Sequence, residues 1–134
     1  MNFTKGLILG LTSGILSSVV CIAYNEIYSD SFRLDFSTIL TTTGIGLSSI
    51  LGCLLMSMGY VIISKLKRPA FIPWLNIVYC ILSFASIIGV LSYKLPLNIE
   101  SPEMFTGLAI PMHFFPTLSF LALVPFFWKL KTSN

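Results

Sequence analysis

Apolar residues run along this chain in four long segments that contain no charged side chain. Windows without Asp, Glu, Lys or Arg cover residues 6–25, 36–64, 69–93 and 104–128. Each reaches the roughly 20 residues that an α-helix, rising about 1.5 Å per residue, needs to cross a hydrocarbon core of about 30 Å. The pattern predicts four membrane-spanning helices, at about residues 6–25, 40–64, 69–93 and 103–128, in a single transmembrane domain over 1–134. The second span is drawn shorter than its window because 29 helical residues would measure about 43 Å.

The first segment has a second interpretation as a cleaved signal peptide. Lys5 precedes it, and Ser18-Val19-Val20-Cys21 is loosely similar to a lipoprotein cleavage site. Val20 occupies the position where such a site has a small residue, and no good A-x-A site follows. We therefore expect the segment to be retained as a span.

Composition and charge extend this picture to a fold and an orientation. Of 134 residues 55% are hydrophobic and 10% charged, with a mean hydropathy of +0.90; soluble domains carry about 25% charged residues, so a water-soluble globular protein is excluded. Six of the eight Lys and Arg residues fall on one predicted side of the membrane, and all five acids fall on the other with Arg33 and Lys94. Those six are Lys5, Lys65, Lys67, Arg68, Lys129 and Lys131; the acids are Glu26, Asp30, Asp35, Glu100 and Glu103. The positive-inside rule then predicts an all-α, integral membrane four-helix bundle in the inner (cytoplasmic) membrane, up-down-up-down, with both termini cytoplasmic.

Two predicted external loops carry local structural signals. Ser101-Pro102-Glu103 is typical of a helix start, with Ser101 as the N-cap. In the first loop, apolar and charged residues alternate from Phe32 to Phe36, which favours an extended segment at the headgroup boundary.

Small residues recur at four-residue spacing in the first two spans. The first small-residue stripe is Gly6, Gly10, Gly14 and Ser18, and the second small-residue stripe is Gly44, Ser48 and Gly52. Such stripes let helix backbones approach closely in lipid, where helix association depends on packing. We expect them to pack the two helices against each other within one bundle; the alternative is a homo-oligomer contact through the first span.

His113, the only histidine, lies near the middle of the fourth span. An ionisable group inside the membrane is a functional-site hypothesis by default because its desolvation is costly. Pro116 removes the amide that would bond the Met112 carbonyl, which favours a kink there. His113 is thus a candidate proton-linked or ligand-binding residue, or a candidate cofactor contact. The alternative is an imidazole hydrogen-bonded to a hydroxyl or a backbone carbonyl within the bundle.

Two asparagines are the other candidate polar residues of the membrane region. Asn25 closes the predicted first span, and Asn76 lies in the cytoplasmic half of the third, where we expect it to hydrogen-bond across helices. Because His113 and Asn76 fall in opposite leaflets, we do not expect them to touch.

No pattern in the sequence indicates catalysis or a bound metal. Cys21, Cys53 and Cys80 are isolated, without a C-x-x-C pair, so disulfide-exchange chemistry is not expected. One histidine cannot provide two axial haem ligands, and no spacing brings together the donors of a structural zinc site. There is no nucleotide-binding glycine loop and no Ser/His/Asp set. We expect no catalytic residue, no metal, no cofactor and no nucleic-acid partner.

The order of these features resembles an uncharacterised family, a domain of unknown function, of small bacterial four-span membrane proteins. The matching points are Asn25, the glycines of the second span, Arg68-Pro69, Leu82-Ser83, Met112-His113 and Pro125. The resemblance implies a multi-pass inner-membrane protein without an assigned activity.

Three functions fit the sequence. The first is a non-enzymatic accessory, scaffold or assembly subunit that packs against a membrane-protein partner or a second copy in the lipid bilayer. The second is a small-solute or proton-linked transport component centred on His113. The third is a quinone- or haem-contacting subunit of a respiratory assembly. A cavity that reaches His113 favours the second function, and a dry bundle around it opposes that function.

Overall fold

The computed structural model describes residues 1–95 and 101–128. These residues form α1 (Phe3–Phe32), α2 (Thr42–Lys65), a short 3-10 helix (Pro69–Phe71), α3 (Ile72–Ser92) and α4 (Pro102–Phe127), with no strand among them. Four helical stretches are long and apolar enough to cross a membrane, when the short 3-10 turn is counted with α3. The prediction of an all-α chain with four candidate membrane spans is therefore confirmed.

Helix α1 is longer than its predicted span of 6–25. Its 30 residues measure about 45 Å at 1.5 Å per residue, which exceeds the roughly 30 Å of a hydrocarbon core. The extra turns continue past Asn25 and include Glu26 and Asp30. The helix ends where Arg33 adopts a left-handed conformation and its amide bonds the carbonyls of the last turn. The charged residues therefore lie where the apolar segment ends, but they do not end the helix.

Two of the predicted helix starts differ in how they are capped. Thr41 precedes α2, and its Oγ1 accepts the Gly44 amide at 3.1 Å, which satisfies one free donor of the first turn. Ser101 stands at the cap position of α4, as predicted, but its φ is 51° and its side chain makes no capping hydrogen bond. The Pro102 start of α4 thus lacks the predicted side-chain cap.

The loop between α1 and α2 corrects the expected extended segment at its start, since Phe32 is helical and Arg33 is left-handed. Phe32 belongs to α1, and residues 37–39 form a turn in which the Phe36 carbonyl accepts the amides of Ile39 and Leu40. Phe36 is buried and meets the Phe105 ring edge-on at 5.5 Å. The Ser37 hydroxyl and amide hydrogen-bond the Asp35 carboxylate and hold its pKa below the ordinary value. The loop therefore folds onto the bundle through Phe36.

The first small-residue stripe lies against α2. A Cβ atom added to Gly14 would lie 2.6 Å from Ile50 Cα, and one added to Gly10 would lie 3.0 Å from Leu54 Cα. One turn further, Ser18 Oγ donates to the Gly46 carbonyl at 3.1 Å. Backbones approach this closely only where one helix has no side chain. The stripe is therefore used within the chain, at the α1–α2 contact.

The second small-residue stripe does not pack against α1, contrary to expectation. A Cβ atom on Gly52 would meet nothing within 4 Å, and one on Gly44 would meet only the side chain of its own cap, Thr41. Helix α2 instead turns Gly46, Ile50 and Leu54 toward α1. Residues 46 and 48 point in nearly opposite directions on a helix with 3.6 residues per turn. The second stripe consequently faces away from α1.

Helix α4 carries prolines inside its length, and α1 hydrogen-bonds to the carbonyls that two of them free. Pro111 and Pro116 lack the amides that would bond the carbonyls of Gly107 and Met112. Tyr24 Oη donates to Gly107 O at 3.1 Å, and Cys21 Sγ donates to Met112 O at 3.8 Å. The prolines therefore free carbonyl oxygens that accept hydrogen bonds from α1. Helix α4 nevertheless stays continuous from Pro102 to Phe127, across Pro116.

Aromatic rings hold together the end of the bundle nearest the N-terminus. Tyr60 is fully buried and meets Phe120 and Trp128 edge-on, with ring centroids 5.5 and 5.8 Å away. Its hydroxyl donates to Asn76 Oδ1, which joins α2 to α3. Tyr79 Oη donates to the Met56 carbonyl at 2.7 Å beside it. This end of the molecule is closely packed.

Candidate functional site

A cleft of about 470 Å³ lies between α2, α3 and α4 in the other half of the bundle. One wall is α2 with its second small-residue stripe, the opposite wall is α4 with His113, and α3 contributes Ser86. Residues of the α1–α2 loop close one end. The cleft is defined by Cys21, Ile39, Leu40, Thr41, Gly44, Ile45, Ser48, Ser49, Gly52, Ser86, Ala109, Met112, His113 and Pro116. Its volume lies in the range of about 300–1,000 Å³ that is usual for small-molecule sites.

The cleft exists because α2 and α3 contact each other closely only near the aromatic end. There, a Cβ on Gly59 would collide with Tyr79 Oη, and Tyr60 bonds Asn76. At the other end, Gly52 on α2 and Gly89 on α3 have nothing within 4 Å of an added Cβ. Bulky side chains hold α2 and α3 in contact at one end, and small residues leave space between the two helices at the other end.

His113 lines this cleft, and one of its ring nitrogens has no hydrogen-bond partner among the described residues. Nδ1 lies 2.8 Å from the carbonyl oxygen of Ala109. A carbonyl can only accept, so Nδ1 carries the proton and Nε2 of the neutral ring is an acceptor. No hydrogen bond to Nε2 occurs among the described residues, where every fully buried side-chain nitrogen and oxygen has a partner. Nε2 is therefore not fully buried, and His113 is one of the residues that line the cleft.

The backbone of α4 fixes the position of this imidazole. The bond to Ala109 spans one helical turn and orients the ring, as a carbonyl partner does for many metal-binding and catalytic histidines. From α3, Ser83 Oγ donates to the His113 carbonyl at 2.8 Å. Both the ring and the main chain of His113 are thus held in place.

The serine hydroxyls of the cleft also present acceptors. Ser48 Oγ donates to Ile45 O at 3.0 Å, and Ser86 Oγ donates to Ser83 O at 2.7 Å. Each hydroxyl has a single hydrogen, so their oxygens face the cleft with lone pairs only. Ser48 and Ser86 are exposed, on α2 and α3 respectively. The mouth of the cleft between these helices is therefore polar in character and uncharged.

Two buried thiols lie beside the residues of the cleft, and one of them, Cys21, lines it. Cys21 Sγ donates to Met112 O, and Cys53 Sγ donates to Pro116 O at 3.6 Å. Both thiols point at backbone oxygens of α4 and are free of disulfides. A second cavity of about 290 Å³ shares Gly52 and Pro116 with the cleft and extends toward Met56 and Tyr79. The space beside α2 thus continues from the cleft toward the aromatic end.

The structure separates the candidate polar residues named from the sequence. Asn76 lies at the aromatic end with Tyr60, and His113 lies in the cleft, so the two are not brought together. Asn25 is half-buried on α1, seven residues before that helix ends. Of these polar residues, only His113 lies beside another feature predicted from the sequence. It lines the cleft together with the second small-residue stripe.

Sequence reasoning missed several residues of this arrangement. Thr41 and Ser49 line the cleft, and Tyr24 bonds the carbonyl freed by Pro111. A signal for the last was present, because any helical proline frees the carbonyl four residues earlier. No sequence signal separates Ser49 from the other hydroxyls of the second span. Among the described residues, no group of three or more His, Cys, Asp or Glu side chains could hold a metal ion.

Comparisons with protein-family models, with curated proteins and with solved structures find no match to this chain.

Proposed function

We propose that this chain is a non-enzymatic, multi-pass protein of the cytoplasmic membrane that binds a small molecule in the cleft, as a solute-binding or transport component. The observation that carries the proposal is the cleft itself, because it reaches the one histidine of the chain. Concave, mostly apolar sites with a few convergent polar groups are the usual form of small-molecule sites. His113 Nε2, Ser48 and Ser86 provide those groups, one from each of three helices.

The charge distribution supports an up-down-up-down topology with both termini in the cytoplasm. Lys5 lies in the first turn of α1, and Lys65, Lys67 and Arg68 lie where α2 leads into α3. The Met1 amine donates to Ser64 Oγ at 2.7 Å, so these basic residues belong to the same end of the bundle. The opposite end carries the described acids Glu26, Asp30, Asp35 and Glu103. Lys129, Lys131 and Glu100, which the sequence argument also used, lie outside the described residues.

Binding without catalysis fits the residues around His113. The described lining contains hydroxyls, one thiol and one imidazole, and none of its residues carries a carboxylate. Acid–base catalysis by histidine depends on an oriented partner and on a reacting group within about 3 Å. The carbonyl of Ala109 orients the ring but cannot exchange a proton with it.

Native mass spectrometry of the protein, extracted in mild detergent from its own membranes, tests this proposal. We expect the wild type to retain a bound small molecule and the Gly52→Leu variant to lose it, because leucine fills the cleft where an added Cβ meets nothing within 4 Å. Gly89→Leu is the matched control, since Gly89 has the same free surroundings on α3 and does not line the cleft. Equal ligand occupancy in both variants, or no ligand in the wild type, would overturn the proposal.

A second candidate function, an accessory or assembly subunit, is favoured by the second small-residue stripe. Gly44 and Ser48 are exposed, and within residues 1–95 and 101–128 no atom lies within 4 Å of a Cβ added to Gly52. A transmembrane helix of a partner protein or of a second copy could pack on such a surface. The same spectra discriminate the two candidates: a protein partner of fixed stoichiometry, lost in Gly52→Leu, would favour the subunit. A haem or quinone subunit, contacted through His113, would instead show an absorbance band on purification.

A further inference from the structure

We infer that the ligand of the cleft is a neutral lipid with a free hydroxyl group, taken up sideways from the bilayer. Diacylglycerols and long-chain isoprenoid alcohols belong to this class. The inference rests on the proposed function, because it assigns a chemical class to the molecule that the cleft binds. Three properties of the cleft carry it: its hydrogen-bonding groups, its charge and its opening.

The hydrogen-bonding groups of the cleft require a donor on the ligand. His113 has its Nδ1 proton committed to Ala109 O, and Ser48 and Ser86 have their hydroxyl protons committed to backbone carbonyls. The remaining lone pairs on His113 Nε2 and the two serine oxygens can only accept. Ser49 likewise gives its proton to Cys21 Sγ, 3.9 Å away. Thr41 is the exception in the lining, since its oxygen accepts the Gly44 amide and its hydroxyl proton has no acceptor among the described residues. A ligand with an ester, ether or ketone oxygen alone could accept from Thr41 but would leave the other acceptors without a bond, whereas a hydroxyl group also donates to one of them.

The charge of the cleft requires a neutral ligand. None of its lining residues is Asp, Glu, Lys or Arg. A phosphate or an ammonium group would lose its hydration in this mostly apolar space without an opposite charge to compensate. A phosphate would in addition face the lone pairs of three acceptors. Neutral headgroups are therefore selected over charged ones.

The opening of the cleft favours entry from the lipid. Ser48 and Ser86 are exposed on α2 and α3. Beside Ser48, Leu47 and Leu51 are 57% and 60% exposed, and on α3 Leu82 is 58% exposed. These side chains suit contact with acyl chains, so the mouth of the cleft opens between lipid-facing surfaces. A molecule with its hydroxyl in the cleft can leave its hydrocarbon chain in the bilayer.

Photolabelling with a matched pair of lipids tests the inference. The full chain, in nanodiscs of a zwitterionic phospholipid, is irradiated with a diazirine-bearing long-chain alcohol or with its methyl ether, and the labelled residues are mapped by mass spectrometry. We expect the alcohol to label cleft residues about fivefold more than the ether, the ratio expected of one hydrogen bond. His113→Phe, and separately the double change Ser48→Ala with Ser86→Ala at exposed positions, should remove this preference. Ser31→Ala, on the exposed surface of α1 with its hydroxyl bonded to Ile27 O, should leave it unchanged.

The outcomes separate this inference from the proposed function. Equal labelling of the cleft by alcohol and ether would overturn the hydroxyl-donor assignment and leave the cleft as a binding site. Labelling of the cleft by neither lipid, with the protein retaining a natural ligand in native mass spectrometry, would overturn the lipid source alone. If the cleft were not labelled and the protein retained no natural ligand, both this inference and the proposed function would be overturned.

Discussion

Replacement of Gly14 by leucine should lower the free energy of unfolding by about 3 kcal/mol or more, the upper range for overpacking a close contact. A Cβ atom at this position lies 2.6 Å from Ile50 Cα and 3.1 Å from Ile50 Cγ1. The nearest obstacle is backbone and cannot rotate away, so α1 and α2 would have to separate. The free energy can be measured by titrating the purified protein from mild detergent into sodium dodecyl sulfate and following helix packing by tryptophan fluorescence.

Gly52→Leu is the matched control for this prediction. It places the same side chain at a glycine of equal helical spacing, where an added Cβ meets nothing within 4 Å. We expect a change of less than about 1 kcal/mol, in the stabilising direction, because leucine is a better helix former than glycine. Similar losses in Gly14→Leu and Gly52→Leu would show that both stripes are helix contacts.

Replacement of Tyr24 by phenylalanine should destabilise the protein by about 1 kcal/mol, a typical value for one interhelical hydrogen bond in a membrane protein. Its hydroxyl donates to the Gly107 carbonyl, which Pro111 deprives of its helical partner. In a Pro111→Ala background, the alanine amide can bond that carbonyl. The cost of Tyr24→Phe should then fall to less than half, as measured in a double-mutant cycle of unfolding free energies.

Tyr28→Phe provides the control in the same cycle. Tyr28 Oη donates to the Met104 carbonyl at 2.9 Å, and position 108, one turn later, is a leucine with an ordinary amide. The loss of unfolding free energy caused by Tyr28→Phe should therefore be the same with and without Pro111→Ala. If the cost of Tyr24→Phe were equal in both backgrounds, the proline would play no part in the α1–α4 contact.

The helices could be predicted because each is determined by the residues within its own segment of the sequence. A charge-free window of sufficient length specifies a span whatever its neighbours are, and Thr41 marks the start of α2 by capping it. The end of α1 was placed seven residues early since Glu26 and Asp30 are compatible with helix on the exposed side. Phe36 was assigned to the headgroup boundary although it is buried on Phe105, a contact between distant parts of the chain.

Individual residues of the site could be predicted from the sequence, but their arrangement around the cleft could not. Four-residue spacing identifies a face of small residues, but Gly14 and Gly52 are indistinguishable by spacing. Gly14 on α1 lies against α2, whereas the rotation of α2 leaves Gly52 uncovered. That rotation is set by side chains such as Tyr60 and Tyr79, which fix the α2–α3 contact at the other end. His113 was recognisable from its position in a span, whereas the acceptor lining of its cleft depends on hydrogen bonds made by Ser48 and Ser86.

The cleft depends on the rotation of α2, and disulfide cross-linking measures that rotation directly. In a background where Cys21, Cys53 and Cys80 are replaced by serine, the pair Ser18→Cys and Gly46→Cys should cross-link rapidly under mild oxidation in the membrane. A Cβ on Gly46 lies 4.0 Å from Ser18 Oγ, within reach of a disulfide. The pair Ser18→Cys and Ser48→Cys should not cross-link, because Ser48 faces the cleft. Efficient cross-linking at 18 and 48 but not at 18 and 46 would place the second small-residue stripe against α1 and contradict the cleft.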